Sequence, residues 1–167
     1  MVVRPATHED LTSLNDIYNA YVLESHATFD VEPTTMDWRH EWFDHHAQTG
    51  RYRVMVAVED GNVIGYTSSS RFRPKPAYET SIEVSVYITG DALGRGVGTQ
   101  LYTSLFAALR GEDLHRAYAG IALPNPASVA QHERFGFKKV AYFTEQGRKF
   151  GRYWDVAWYE KALSPAS

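Results

Sequence analysis

A glycine-rich turn at residues 94–99 has the composition of a phosphate-binding loop. Its residues are Gly94, Arg95, Gly96, Val97, Gly98 and Thr99, and a helical pattern follows them. Glycines let a backbone turn tightly with its N–H groups exposed, and a helix N-terminus adds unpaired donors and partial positive charge. The turn therefore predicts a nest for a diphosphate, to which the Arg95 side chain could add charge. The alternative is a tight turn that needs glycine for its geometry alone.

Glu83 is a candidate acid–base residue. The segment from Ser81 to Thr89 alternates in the manner of a strand, with Ile82 and Val84 on one face and Glu83 on the other. A carboxylate in that position can accept a proton from an ammonium group, directly or through a water. The alternative is that Glu83 pairs with a buried arginine.

Arg71 and Arg73 are candidates for binding a carboxylate. They stand two residues apart near the end of a predicted strand, so they are expected to point to the same side. Two guanidinium groups can fork onto the α-carboxylate of an amino acid. The alternative is a pair of solvated charges at a strand end. Three further residues could complete such a pocket: Phe29, Tyr78 and Lys149.

The elements that must position these residues are predicted in the order β α α β β β α β α β β. Strands are expected at Val2–Arg4, Tyr52–Val58, Val63–Phe72, Ser81–Thr89, Tyr118–Leu123, Phe137–Thr144 and Arg152–Tyr159. Thr7 and Asp10 have the spacing of a capping box before the first helix, and Asn125 with Pro126 begins the last one. Meandering strands followed by a β-α-β-α-β pattern predict a mixed α/β sheet flanked by helices.

Composition narrows the class of protein further. The 167 residues suit one domain, taken as residues 1–163 with a short tail at 164–167. A net charge of −3 argues against a nucleic-acid partner. There is no cysteine, no signal-peptide pattern and no apolar run near the roughly 20 residues of a membrane span, so we expect a cytoplasmic protein. His45 and His46 lack a third ligand at useful spacing, so we expect no metal.

Several stretches together resemble one acetyltransferase superfamily. The run from Glu83 through Val86, Tyr87 and Ile88 to the glycine-rich turn resembles the signature of the GNAT N-acetyltransferases. Other stretches resemble its phosphinothricin and methionine sulfoximine N-acetyltransferase branch: Arg4–Thr7, Asn19, Phe29 before Glu32–Pro33, Leu123–Asn125 with Ser128, His132–Glu133, Gly136–Phe137 and Gly147–Arg152. The resemblance covers nearly the whole chain. One position departs from it, because Leu93 stands where the superfamily usually has Gln or Arg.

The resemblance implies a GNAT fold with a mostly antiparallel sheet whose two central parallel strands splay apart to admit acetyl-CoA. Backbone groups of Val86 and Ile88 would bond the pantetheine amides, and the N–H groups of residues 94–99 would hold the pyrophosphate. Asn125, with Ser128, would help to fix the coenzyme arm. The backbone nest does not depend on position 93, so binding is still expected despite Leu93.

The implied activity is acetyl transfer from acetyl-CoA to the amino group of phosphinothricin, methionine sulfoximine, methionine sulfone or a similar amino acid. Glu83 would be the general base, and a backbone N–H near Val86 would stabilise the oxyanion. Where many GNAT enzymes have a tyrosine that protonates the thiolate, this chain has His132. The alternative for His132 is a packed histidine bonded to a backbone carbonyl.

Two other functions remain open at this stage. The acceptor could be a protein N-terminus, a polyamine or an aminoglycoside, although the arginine pair disfavours polycations. The domain could also be a non-catalytic acyl-CoA-binding module, since fold alone does not assign activity. Aromatic residues near the C-terminus, Tyr153–Trp154 and Trp158–Tyr159, could form either a homodimer interface or part of the core.

Overall fold

The computed structural model describes residues 1–163, so the predicted tail at 164–167 lies outside the described residues. These residues form seven strands and four α-helices in the predicted order. The strands are β1 (Val2–Pro5), β2 (Val54–Glu59), β3 (Asn62–Arg71), β4 (Ser81–Ile88), β5 (Arg116–Leu123), β6 (Lys138–Lys149) and β7 (Arg152–Ala162). The helices are α1 (Leu11–Glu24), α2 (Met36–Asp44), α3 (Val97–Ala108) and α4 (Pro126–Arg134).

All seven strands belong to one sheet with the order β1-β2-β3-β4-β5-β7-β6. Every neighbouring pair is antiparallel except β4 and β5, which run parallel and are joined through α3. This arrangement confirms the predicted mixed, mostly antiparallel sheet. Of the helices in residues 1–163, none is both long and apolar enough to cross a bilayer.

Helices cover the two faces of the sheet with separate apolar clusters. On one face, Leu101 and Leu105 of α3 pack fully buried against Ile82 and Val84 of β4. On the other, Leu14 of α1 packs against residues of β2 and β3. Since Ile82 and Val84 face α3, strand alternation directs Glu83 towards the face of α1 and α2.

Local signals at the chain turns are confirmed. The Thr7 N–H donates to the Asp10 carboxylate at 2.8 Å, as the capping box requires. The turn between β2 and β3 places Asp60 and Gly61 at φ of 49° and 81°, the left-handed conformation for which Asp-Gly is suited. The side-chain Oδ1 of Asn125 accepts the Ser128 N–H at 3.1 Å and so caps α4.

The C-terminal hairpin is longer than the sequence pattern predicts. Strand β6 continues to Lys149 instead of ending near Thr144, and it pairs with β7 across two irregularities in register. The extra length passes through Glu145–Arg148, where strict alternation of apolar residues fails. Of the C-terminal aromatic residues, Trp154 and Tyr159 are buried, whereas Tyr153 is exposed.

Candidate active site

A cleft opens where the two parallel strands separate. Strands β4 and β5 pair over only three positions, Ser81 with Arg116, Ile82 with Ala117 and Glu83 with Tyr118. Both strands continue beyond this point, to Ile88 and Leu123, without pairing to each other. A cavity of about 560 Å³ occupies the gap, lined by β4, β5, the start of α3 and α4. The predicted splay of the central strands is therefore present.

The glycine-rich turn lies at one wall of this cleft. Gly94 and Gly96 have φ of 73° and 78°, so the turn uses the left-handed conformations that glycine adopts without strain. Helix α3 begins directly afterwards at Val97, and Gly94, Gly96, Val97 and Gly98 all line the cavity. The first N–H groups of α3, which have no acceptor within the helix, therefore lie in the wall of the cleft. Such a helix start is a suitable binding place for an anion.

The charged side chain of that turn points elsewhere. Arg95 donates two hydrogen bonds to the Glu59 carboxylate, at 2.9 and 2.7 Å, and is not among the residues lining the cavity. Leu93, by contrast, lines the cavity with an exposed apolar side chain. Thr99 bonds to α4 residues instead of facing the cavity. The side chain of Arg95, which was predicted to add charge at a phosphate, pairs with Glu59 instead, so the predicted nest would have to bind an anion through backbone donors alone.

The free edge of β4 forms the opposite wall. Val86 and Ile88 share one edge of the strand by their spacing, and both line the cavity. The Tyr21 hydroxyl donates to the Ile88 carbonyl at 2.7 Å and accepts from the Ile88 N–H at 3.3 Å. A ligand that pairs with this edge at Ile88 must displace that hydroxyl. The Tyr87 ring packs among other tyrosines of the α1 face, including Tyr66.

Glu83 lies at the fork itself, the last position at which β4 and β5 pair. It lines the cavity, and burial raises the pKa of its carboxyl group, while the positive charge of Arg73 acts in the opposite direction. No salt bridge to Glu83 is formed by the described part of the chain. Within the described residues the Glu83 carboxylate is therefore desolvated and has no ion-pair partner. Its raised pKa makes it a stronger proton acceptor than an exposed glutamate.

His132 lines the cleft from α4 with both ring nitrogens bonded. Nδ1 lies 2.7 Å from the Ser128 carbonyl oxygen, which can only accept, so Nδ1 carries the proton. Nε2 lies 2.8 Å from the buried Tyr102 hydroxyl and accepts from it. Burial lowers the pKa of His132, which agrees with a neutral ring. The hydrogen bond from His132 to the Ser128 carbonyl oxygen is the one expected under the alternative interpretation of His132 as a packed histidine.

The predicted arginine pair is only half in a strand. Strand β3 ends at Arg71, so spacing along a strand does not fix the direction of Arg73. The Arg73 guanidinium lies over the rings of Phe72 and Tyr78, with its carbon 5.0 and 5.9 Å from the two centroids. Neither arginine lines the 560 Å³ cavity, but Arg73 is close enough to influence the Glu83 pKa.

Phe29 and Lys149 lie together beside the cleft and not in it. The Phe29 ring packs so closely on Gly147 that a Cβ there would lie 2.2 Å from a ring carbon. The buried Lys149 amine donates to the carbonyl oxygens of Ser25 and Thr28 at 2.7 and 2.8 Å. Lys149 therefore holds the 25–28 segment, part of which lines the cleft.

Cleft residues that were not anticipated from the sequence include Tyr21, His26 and Gln131, and the buried Tyr102 behind His132 was not anticipated either. His26 stacks on Trp154 with ring centroids 4.0 Å apart, and its Nε2 lies 2.8 Å from the Pro124 carbonyl oxygen on the other arm of the cleft. These contacts join His26 to residues 98 and 128 positions further along the chain, so no local sequence pattern predicts them. Within residues 1–163, no three His, Asp or Glu side chains are grouped as metal ligands.

Comparison with known proteins agrees with this geometry. Residues 3–158 match the model of the acetyltransferase (GNAT) domain. The chain is 56% identical to a phosphinothricin N-acetyltransferase of Streptomyces coelicolor, over 96% of this chain and 95% of that protein. It is 35% identical to an L-methionine sulfoximine/L-methionine sulfone acetyltransferase of Pseudomonas paraeruginosa, over 98% and 95%.

A solved structure shows the same fold with the coenzyme present. A GNAT superfamily phosphinothricin acetyltransferase from Sinorhizobium meliloti, in complex with acetyl-CoA, superposes with a TM-score of 0.90 at 30% identity, covering 97% of this chain and 88% of that one. The sheet and cleft thus define an acyltransferase that uses an acyl-CoA thioester. The chain belongs to the GNAT acetyltransferase family and is an acetyl-CoA-dependent acyltransferase.

Proposed function

We propose that this enzyme transfers the acetyl group of acetyl-CoA to the amino group of a small amino acid, with phosphinothricin, methionine sulfoximine and methionine sulfone as the substrate class. The observation that carries the proposal is the position of Glu83, a desolvated carboxylate at the fork of a cleft that leads to a diphosphate nest. The names of the relatives support the substrate class. Residues 1–163 act as one domain in the cytoplasm in this proposal.

Acetyl-CoA lies along the cleft in the proposed complex. Its diphosphate rests on the N–H groups of residues 94–99, and its pantetheine arm pairs with the β4 edge at Val86 and Ile88, with Asn125 and Ser128 on the other arm. The first turn of α3 and the edge of β4 that does not pair with β5 support this orientation, since both line the cavity and carry backbone donors.

Glu83 is the general base in the proposed mechanism. Its carboxylate takes a proton from the substrate ammonium, the neutral nitrogen attacks the thioester carbonyl, and a tetrahedral intermediate forms. The Val86 N–H is the oxyanion donor. Collapse of the intermediate breaks the C–S bond, the nitrogen bonded to the acetyl carbon loses its second proton, and the coenzyme thiolate takes one, so that one proton is released overall. His132 is the candidate relay for this second proton: its neutral ring takes the proton at Nε2 and returns it to the thiolate, and this requires Nε2 to exchange its present hydrogen bond with Tyr102.

The acceptor carboxylate binds to Arg73, with Arg71 beside it, in this proposal. The role of Arg73 as the carboxylate-binding residue is supported by its position, because its positive charge is close enough to Glu83 to lower the pKa of that carboxyl group. Tyr78 packs on the Arg73 guanidinium and so contributes to its position. Phe29 and Lys149 shape the neighbouring wall, because their contacts hold the segment that ends at the cleft.

A substrate panel with a Glu83→Gln variant tests the proposed function. We expect thiol release from acetyl-CoA with phosphinothricin, methionine sulfoximine and methionine sulfone, and about a 100-fold or larger loss of kcat in Glu83→Gln, the usual contribution of a general base. CoA affinity by calorimetry should be unchanged. A chain active only on polyamines, aminoglycosides or peptides would contradict the substrate class.

Unfolding measurements supply the control for that variant. Because the pKa of Glu83 is raised in the folded state, ionisation of this carboxyl costs stability as the pH rises through that pKa. Glu83→Gln should therefore unfold at a higher temperature than the wild type at pH 7. Wild-type turnover in the variant would remove Glu83 from the mechanism.

We also propose that the enzyme is a homodimer. The outer strand β6 exposes Val140, Tyr142 and Phe143, and the following turn and β7 expose Phe150 and Tyr153. An edge strand with unpaired backbone groups and apolar side chains is prone to pair with another chain. This exposed surface is the better candidate for the dimer interface. Trp154 and Tyr159 are already buried in the core and are not accessible to a second copy.

A further inference from the structure

Gln131 on α4 carries a buried donor without an acceptor. Its Nε2 atom is shielded from solvent and has no hydrogen-bond partner within the described residues. Its Oε1 accepts only a long bond, 3.4 Å, from the Thr99 hydroxyl. Buried amide groups are almost always paired, so this unpaired N–H group in the cleft wall is available to a ligand atom.

This amide lies at the start of α3, beside the diphosphate nest. Gln131 lines the cavity, and its Nε2 lies 3.3 Å from the position that a Cβ at Gly98 would occupy. Gly98 belongs to the first turn of α3, whose N–H groups have no intrahelical acceptor. The absence of a side chain at residue 98 therefore leaves room for the Gln131 amide next to those N–H groups.

A positive charge from the same helix reaches this place. Nη1 of Arg134 lies 3.2 Å from the Thr99 hydroxyl oxygen, in the first turn of α3. No carboxylate in residues 1–163 forms a salt bridge with Arg134. The glycine-rich turn itself supplies no such charge, because Leu93 is apolar and Arg95 is paired with Glu59.

We propose that Gln131 and Arg134 are the side-chain donors for the coenzyme diphosphate, and that they replace from α4 what Leu93 and Arg95 do not provide. This inference rests on the proposed binding of acetyl-CoA in the cleft. Rotation of the terminal amide of Gln131 brings an N–H to a phosphate oxygen, and Arg134 adds the opposite charge.

The test compares acetyl-CoA with S-acetylpantetheine, which carries the same thioester and arm but no diphosphate. Gln131→Leu removes the amide at nearly constant volume. We expect kcat/KM for acetyl-CoA and CoA affinity by calorimetry to fall roughly tenfold, the usual effect of a hydrogen bond to a charged group. The kcat/KM for S-acetylpantetheine should stay unchanged. Gln131→Glu, with the same shape and a negative charge, should lose more and provides the test if the leucine variant does not fold.

Arg134→Gln tests the charge separately. We expect weaker CoA binding and a shallower dependence of CoA affinity on salt concentration than in the wild type. Arg110→Gln is the matched control, because Arg110 is an exposed arginine at the opposite end of α3, and its CoA affinity should not change.

Three outcomes would overturn this inference. Equal losses for acetyl-CoA and S-acetylpantetheine would place Gln131 on the arm or in the fold instead of at the diphosphate. Unchanged CoA affinity in both α4 variants would show that neither side chain contacts the coenzyme. A wild-type chain without affinity for CoA would overturn the proposed function as well as this inference. The first two outcomes leave the proposed function intact.

Discussion

At the scale of single residues, the basicity of Glu83 depends on two opposing influences. Burial at the strand fork raises its pKa, and the Arg73 guanidinium lowers it. The proposed general base works in its ionised form, so the acidic limb of the pH–rate profile should follow the pKa of Glu83. Arg73 therefore keeps Glu83 ionised at a lower pH than burial alone would permit.

Replacement of Arg73 by Gln should shift the acidic limb of the pH–rate profile. Removal of the positive charge leaves burial unopposed and raises the pKa of Glu83, so the acidic limb of kcat/KM should shift to higher pH. Any loss of acceptor binding changes the height of the profile but not the position of this limb. The measurement is kcat/KM for the amino-acid acceptor as a function of pH.

Arg71→Gln is the control for this shift, since Arg71 has no resolved influence on the Glu83 pKa. Its profile should fall in height with the limb in place. A limb that stays in place in Arg73→Gln, or moves to lower pH, would show that the limb reports a group other than Glu83.

At the scale of elements, the β6–β7 hairpin braces the segment that follows α1. The Lys149 amine bonds to Ser25 and Thr28, Phe29 packs on Gly147, and Trp154 stacks on His26. The Trp154 indole N–H also donates to the Lys149 carbonyl at 2.9 Å. One end of the cleft wall is thus held by a hairpin distant in sequence, which accounts for a lysine buried with its amine bonded to backbone.

Lys149→Met should weaken both the fold and the coenzyme site. The change leaves the Ser25 and Thr28 carbonyl oxygens without their donor, at a cost of about 1–3 kcal/mol in the free energy of unfolding. Because Ser25, His26 and Ala27 line the cleft, CoA affinity should fall as well. Urea unfolding and calorimetry measure the two effects.

Lys138→Met on the exposed part of the same strand is the matched variant. It should change neither quantity by more than about 0.5 kcal/mol, as surface substitutions usually do. Equal stabilities of the Lys149 and Lys138 variants would argue against bracing by the Lys149 amine.

At the scale of the whole molecule, the separation of two parallel strands determines both the site and the surface left for a partner. Breaking the pairing after Glu83 and Tyr118 leaves backbone groups of β4 free, and the chain fills the far side of the sheet with β7 and β6. Within the described residues the sheet therefore opens between β4 and β5, where we propose that the coenzyme binds, and it ends at the outer strand β6, which exposes Val140, Tyr142 and Phe143.

Phe143→Glu should convert the proposed dimer into a monomer. Light scattering of the wild type should give twice the 18.9 kDa chain mass, and a charge within the apolar surface of β6 should halve it. Leu23→Glu places the same charge on an exposed apolar residue of α1 and should leave the mass unchanged. A wild-type chain with monomer mass would contradict the proposal.

The order of elements followed from the sequence because its signals are local. Alternation placed Glu83 and Ile82 on opposite faces, and glycines marked the turn before α3. Helix starts were likewise set by neighbouring residues, such as Asn125 at the head of α4. Each of these features depends on residues a few positions apart, which is the range over which backbone geometry and side-chain direction are coupled.

Only the tertiary structure decided which side chains face the cleft. Arg95 carries the charge expected of a phosphate site but is turned to Glu59, 36 positions away, whereas Gln131 arrives from another helix. Lys149 has the charge of a surface residue but is buried beneath the 25–28 segment. The sequence determined which elements form and what chemistry they contain. The direction of long polar side chains depends on distant partners, because their hydrogen bonds form wherever packing places a matching group.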